Sequence, residues 1–558
     1  MDFSETSGSN RTAWRPEHRP RTASLASTFL ALGLVALGGV ALGGCVSPAS
    51  MNTMPGGRSC DEAAVDVACT AQGAVRGTTE AGIVAFKGIP YAEPPVGELR
   101  WRPPAMPVTW AGVRDGSRFG AICPQLSGTQ VIGEENCLTL NVWKPAERPA
   151  APLPVMVFFP GGGNHGFSGQ GAPVFGGVGY GGEKLVPEGV VHVSFNYRLG
   201  ALGFLAHPEL SAASTDKVSG NYGTLDQIAM LRWVHENIAS FGGDPRRVML
   251  FGTSAGGGNI CTLLAAPGAR GLFHRAAMQA SVPTGCELPT LAQAESGTGQ
   301  RVADSLGCTS GDRAACLRSR PAADVVRAVP GTFSVLPRVY GPNVDGRVIP
   351  EQPRAAIARG AHAQVPVIIG NSSNETMLFV NALGPVTDRA SYEAAIGKVF
   401  GEAQTARIVE AYPTSPRATP RQALVQLTTD AFFTCQSRRV ARALTAHQHA
   451  PALRYFFTHS LENDPDQKAL GAMHTVEHPF FFAWGGAYKP TDTDLAVQRL
   501  MVGHWTHFAR TGSPPAAWPL ARLGDAYLSI GATSVAARGD GGAQCDFWDT
   551  VPLPQPHL

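Results

Sequence analysis

Phe251-Gly252-Thr253-Ser254-Ala255-Gly256-Gly257 follows the apolar run Arg247-Val248-Met249-Leu250 and precedes Asn259-Ile260-Cys261-Thr262-Leu263-Leu264-Ala265. The first run reads as a strand and the last as a helix, so the G-x-S-x-G pattern lies on a sharp strand-to-helix turn. A nucleophile elbow needs that context: the serine sits in a strained turn with Oγ exposed. Gly252 and Gly256 remove side chains that would collide as strand and helix converge. The helix that follows adds backbone N–H groups and its positive dipole end. In a chain with 65 glycines the bare pattern arises readily by chance, so the flanking sequence must decide.

Those flanks carry several further blocks in a fixed order. Gly88-Ile89-Pro90-Tyr91-Ala92-Glu93-Pro94-Pro95 comes first, then Glu135-Asn136-Cys137-Leu138-Thr139-Leu140-Asn141-Val142, then Ser194-Phe195-Asn196-Tyr197-Arg198-Leu199-Gly200. Gly220-Asn221-Tyr222-Gly223-Thr224-Leu225-Asp226-Gln227 and Phe241-Gly242-Gly243-Asp244-Pro245 lead into the elbow, and Cys545-Asp546-Phe547-Trp548 lies near the end. Together they resemble the type B carboxylesterase family, which includes cholinesterases and some microbial lipases. Asn136 stands where that family has Asp. The resemblance runs from about Thr70 to about Asp549 and implies an α/β-hydrolase fold: a central, mostly parallel sheet flanked by helices.

Pattern and composition agree with that architecture. The 558 residues are 44% hydrophobic and 16% charged, which is enough apolar material for a large globular core. Val155-Met156-Val157-Phe158-Phe159, Val190 to Phe195, Val365 to Ile369 and Leu453 to Phe457 read as strands alternating with helical stretches. No repeat, linker or long charge run divides them, so one large α/β domain over 70–558 is expected. A net charge of +2 gives no case for a nucleic-acid partner.

The N-terminus reads as an export signal. Arg11, Arg15, Arg19 and Arg21 precede an uncharged apolar stretch from Leu25 to Leu42, which ends Leu42-Gly43-Gly44-Cys45. That ending resembles a bacterial lipobox. We therefore expect a lipoprotein signal peptide over 1–44, lipidation of Cys45, a tether over 45–69 and a membrane-anchored protein in the cell envelope. The competing reading is an uncleaved helix, for which about 18 apolar residues is borderline.

Setting Cys45 aside leaves ten cysteines, and an exported chain favours disulfides. The family resemblance implies Cys123 with Cys137 and Cys308 with Cys316. Cys435 can tie to Cys545, and Cys60 to Cys69 by proximity. Cys261 reads equally as a buried small hydrophobe or as a partner for Cys286. No Cys-x-x-Cys pair suggests a metal, and no cofactor is called for.

Acyl transfer by serine needs a base and a carboxylate, which this fold supplies in the chain order Ser, Asp/Glu, His. Gly471-Ala472-Met473-His474-Thr475-Val476-Glu477 resembles the family's histidine loop, making His474 the base. His478, His504 and His507 read as ordinary histidines. Gly370-Asn371-Ser372-Ser373-Asn374-Glu375-Thr376 resembles the acid motif, making Glu375 the carboxylate. Asn374 replaces Asp and Thr376 replaces Gly, which puts the local turn in doubt. Gly161-Gly162-Gly163 follows a strand, and the resemblance makes the N–H groups of Gly162, Gly163 and Ala255 the oxyanion hole. Pro160, Asn164 and Thr253 depart from the usual His or Tyr, aromatic and Glu. Arg100 and Glu135 are expected to form a structural ion pair.

The reading is a serine hydrolase that cleaves carboxylic esters through an acyl-enzyme. It favours neutral esters, because the 124–136 segment carries no aromatic residue that could bind a quaternary ammonium. Two alternatives are a lipase acting on longer acylglycerols and a non-catalytic adhesion module of the same fold. That segment is too short and polar for an obvious lipase lid, and the adhesion reading requires loss of a nucleophile that is present here.

Overall fold

Period-two alternation along the apolar runs builds two cores on opposite faces of one sheet. Val155, Val157 and Phe159 enter one cluster, while Met156 and Phe158 enter the other. Val248 and Leu250 oppose Met249 and Phe251 in the same way. Successive side chains on a strand point to opposite faces, so a strand apolar throughout must be covered on both. The computed structural model describes residues 64–280, 286–335, 338–416 and 418–554. The expectations for the 1–44 signal, Cys45 and Cys60 lie outside those residues.

The sheet strands are β1 (Thr78–Glu80), β2 (Ile83–Pro90), β3 (Thr139–Pro145), β4 (Leu153–Phe159), β5 (Val191–Phe195) and β6 (Gly243–Thr253). The remainder are β7 (Arg275–Gln279), β8 (Val367–Ser372), β9 (Ala452–Phe457), β10 (Tyr527–Ile530) and β11 (Val535–Ala537). Their spatial order is β11-β10-β9-β8-β7-β6-β4-β5-β3-β2-β1. Pairing is parallel from β5 across to β10 and antiparallel at both edges. The expected mostly parallel α/β sheet is what forms, with the elbow strand β6 at its centre.

Boundaries shift where local chemistry demands it. The expected strand at Val365 begins only at Val367, because Pro366 has no N–H to give a ladder. The expected helix at Asn259 begins four residues earlier: α1 spans Ala255–Ala265 and is buried along its length. Its opening glycines lie against the β4 end, where a Cβ on Gly256 would fall 2.0 Å from Phe159 O. α2 (Cys435–His447) and α3 (Asp492–Thr511) pack near β9 and β4, respectively.

Disulfides and buried charge fasten the periphery. Cys123–Cys137, Cys261–Cys286, Cys308–Cys316 and Cys435–Cys545 are bonded. Cys261 is thus a bonded cysteine rather than a simple buried hydrophobe, joining α1 to the chain after β7. Cys69 is also disulfide-bonded. Arg100 and Glu135 form the expected pair, with Nε to Oε1 at 2.7 Å, and Arg100 also donates to the carbonyls of Arg318 and Arg320. Arg198 and Asp226 form a second pair, fully enclosed and bidentate at 2.6 and 2.8 Å. Among the described residues, no helix is long and apolar enough to cross a membrane.

Candidate active site

β6 ends in a turn that no ordinary residue adopts without strain. Ser254 has φ 61° and ψ −126° between strand and helix, although it is not glycine. Its N–H donates to Gln279 O at 3.0 Å, and its carbonyl accepts from Gly258 N at 3.0 Å, so the turn is held from both sides. Ser254 is 9% exposed, so it is nearly enclosed. Ala255 is the first residue of α1, where backbone N–H groups have no partner within the helix.

Glu375 and His474, the expected acid and base, come from loops that pair with each other. Asn374 N donates to Ala472 O at 2.9 Å, and Asn374 bridges Met473 in parallel fashion. One residue on from each, Glu375 Oε2 meets His474 Nδ1 at 2.5 Å. Glu375 Oε1 accepts from Ser372 N at 2.6 Å, and the carboxylate is fully buried. Both acceptor oxygens are thereby fixed, and with them the imidazole ring. His474 Nε2, the other nitrogen, is buried and makes no hydrogen bond. Phe379 and Phe433 rings pack against the imidazole at 4.9 and 5.6 Å.

Thr376 answers the doubt about its turn. It does not adopt a positive φ, so glycine is not required. Its hydroxyl lies 3.0 Å from Val425 O and 2.6 Å from Thr428 Oγ1, tying the acid loop to the neighbouring helix.

Gly162 and Gly163 have φ of 87° and 62°, conformations that favour glycine. A Cβ on Gly161 would lie 3.1 Å from Ser254 Cβ, so this loop runs alongside the serine. The departures expected to alter its support do so through a polar network. The Tyr197 hydroxyl lies 3.1 Å from Pro160 O and 3.2 Å from Asn164 Oδ1, and Asn259 Nδ2 donates to the same Oδ1 at 2.9 Å. Asn164 is fully buried and braces the loop through these bonds. Tyr197 sits in a block quoted above, but nothing in the sequence pairs it with Asn164.

Glu477 and Gln279 are further participants that the motifs did not single out. Burial, with Glu375 nearby, pushes the Glu477 carboxyl up to about 8. Gln279 Nε2 donates to Glu477 Oε2 at 3.3 Å. His478, expected to be ordinary, is wholly buried among Phe158, Tyr180 and Phe482, which pushes it down to about 3 and keeps it neutral. Among the described residues, no group of three His, Cys, Asp or Glu is gathered so as to hold a metal ion.

Known proteins match both sequence and fold. The profile of the carboxylesterase family matches residues 62–548. A fumonisin B1 esterase from Sphingopyxis macrogoltabida is 37% identical over 468 residues, covering 80% of this chain and 82% of its own. A para-nitrobenzyl esterase from Bacillus subtilis is 34% identical over 80% of this chain and 90% of its own. A human cocaine esterase is 33% identical over 85% and 88%, respectively. The solved structure of a PNB esterase superposes with a TM-score of 0.73 at 31% identity, covering 87% of this chain and 99% of that one.

Proposed function

The chain belongs to the carboxylesterase family and hydrolyses carboxylic esters through an acyl-enzyme, and on that premise we propose that Ser254, His474 and Glu375 do the chemistry. Ser254 Oγ attacks the ester carbonyl while His474 Nε2 takes its proton. The imidazolium formed is stabilised through Nδ1 by Glu375 and then protonates the leaving alcohol. Water repeats the sequence on the acyl-enzyme. The N–H groups of Gly162, Gly163 and Ala255 stabilise the oxyanion at each tetrahedral stage. The observation that carries this reading is the 2.5 Å contact between Glu375 and His474, together with a serine held in a strained strand-to-helix turn. It leaves the second ring nitrogen without another partner.

We also assign residues 70–558 to the hydrolase domain, 1–44 to a signal peptide and 45–69 to a tether lipidated on Cys45. The disulfides support an exported protein. On the substrate side, the segment between Cys123 and Cys137 is a polar hairpin, Gln125–Ser127 with Gln130–Ile132, which offers no aromatic face to a cation. Thr253 carries no charge beside the serine. Both support turnover of neutral esters over choline esters.

One panel tests the reading: short-chain neutral esters and the matching choline ester, with Ser254→Ala as the blank. Ser254→Ala is expected to lower turnover by about a thousandfold or more, and Glu375→Gln by less. More than about a tenth of the activity surviving in Ser254→Ala overturns the assignment of the nucleophile. A choline ester preferred by about tenfold overturns the neutral preference.

A further inference from the structure

The helix Pro420–Thr429 runs on into α2 through a single π turn, Asp430–Thr434. Cys435 N–H reaches back five residues to Asp430 O, where an α-helix reaches four. The extra residue resets which side chains face the sheet, and such turns recur at functional sites. Here two side chains of the turn meet the triad residues. The Phe433 ring lies 5.6 Å from the imidazole of His474. Thr434 Oγ1 accepts from Asn371 Nδ2 at 3.0 Å, and the next residue, Ser372, gives its N–H to Glu375 Oε1. One turn thus packs on His474 directly and supports Glu375 through its loop.

Asp430 opens the turn and is buried. Its Oδ2 accepts from the Tyr412 hydroxyl at 2.8 Å, and its Oδ1 accepts from Gln426 Nε2 at 2.8 Å. The Tyr412 oxygen already accepts from Trp548 Nε1 at 2.8 Å and Gln544 N at 3.4 Å, so its own hydrogen goes to Asp430. Both neighbours of the carboxyl donate. The arrangement therefore fits the carboxylate, and a proton taken up there competes with one of the donors. The other charged groups packed around this corner are Asp540, Asp546 and Asp549, all paired with Arg438. Burial, with Asp540 adding to it, pushes the Asp430 carboxyl up to about 7.

We infer that Asp430 is a positioning residue for ester cleavage, holding the π turn that sets Phe433 against His474 and Thr434 against the loop of Glu375. The inference rests on His474 and Glu375 as base and acid. Glu375 meets the imidazole at Nδ1, and a ring held at one atom can still swing. Packing by Phe379 and Phe433 limits that swing and so aims Nε2. Small misplacements of a catalytic group are costly to rate. Protonating Asp430 removes one of the bonds that hold the turn, so turnover acquires a second ionisation besides that of the base.

The test measures kcat and KM of the full protein on one neutral short-chain ester from pH 5 to 9, for the unaltered chain, Asp430→Asn, Phe433→Leu and the double variant. Asparagine keeps an oxygen for Tyr412 but sets an NH2 against Gln426, as the protonated acid would. Asp430→Asn is expected to lower kcat at pH 8 by about tenfold with KM within about twofold. The acid limb of its kcat profile should drop from two ionisations to one. Phe433→Leu should also lower kcat rather than raise KM, and the double variant should lose less than the product of the two losses, because they act in series. An unchanged kcat and profile in Asp430→Asn, or losses that multiply, overturn the inference. Should Asp430→Asn fail to fold, Phe433→Leu decides: an unchanged kcat, or a loss carried by KM, overturns it. His474→Ala separates the parent reading. If that variant stays active, the base assignment fails and this inference with it; if it is dead while Asp430→Asn behaves as the unaltered chain, only the role of Asp430 fails.

Discussion

At the residue scale, two buried carboxyl groups near His474 sit in different surroundings. Glu375 accepts two hydrogen bonds, one from the imidazole and one from a backbone N–H. Glu477 is wholly enclosed, and Glu375 is close enough to oppose its ionisation, so it holds its proton up to about 8. This has a consequence for stability. An unfolded glutamate ionises near 4.5, so between 4.5 and about 8 the folded state carries a proton that the unfolded chain has lost. Stability therefore falls as pH rises through that window and levels off above it. Glu477→Gln cannot ionise and is expected to flatten the decline. Melting temperatures of both proteins from pH 5 to 9 check this: parallel curves would show that Glu477 does not set the slope. The acid loop Gly370–Thr376 and the histidine loop Gly471–Glu477 made both residues visible in the sequence, but not that Glu477 would keep its proton, because that comes from its enclosure and from Glu375, far earlier in the chain.

At the scale of elements, the close approach of β4, β6 and α1 is what presents the serine. Phe159 O lies where a Cβ on Gly256 would sit, 2.0 Å away, and backbone cannot yield as the end of a side chain can. Gly256→Ala is therefore expected to push helix from strand and misplace both the Ser254 turn and the Ala255 N–H. Activity should drop by about tenfold or more, since small misplacements of catalytic groups are costly. Overpacking of this kind also destabilises by about 1–3 kcal/mol. Gly268→Ala serves as the control, because its Cβ would meet only ordinary contacts from 3.6 Å. Full activity in Gly256→Ala would show that the close approach is not needed. The glycine spacing was legible because it answers to local sterics. The bracing of the Gly161–Gly163 loop by Tyr197, Asn164 and Asn259 was not, because those side chains meet only when β5, the loop and α1 converge.

At the scale of the whole molecule, cross-links and buried charge join segments far apart in the chain. Cys435–Cys545 spans 110 residues, and Arg198–Asp226 joins the end of β5 to a helix that follows it. Disulfides of this kind form in oxidising compartments, which agrees with export. The expected route is lipidation at Cys45, and Cys45→Ser tests it. In a bacterial host the substituted protein should lack the lipid and be released or stalled as precursor. Mass spectrometry of the mature N-terminus decides: an unmodified peptide extending before Cys45 would rule out the anchor.

The sequence by itself determined the fold class and the central strands, and it pointed to Ser254, Glu375 and His474 as the residues to propose for the chemistry. Each rests on a local rule: period-two apolarity, a strand–glycine–helix turn, or a motif in chain order. The family resemblance implied Cys123–Cys137 and Cys308–Cys316, and both bonds form. The tertiary structure alone decided that Cys261 bonds Cys286, that Thr376 fits without a positive φ, and that Asn164 braces the glycine loop. The physical reason is common to all three. Burial and partnership are properties of groups brought together from distant parts of the chain, and sequence spacing records only what lies within a few residues.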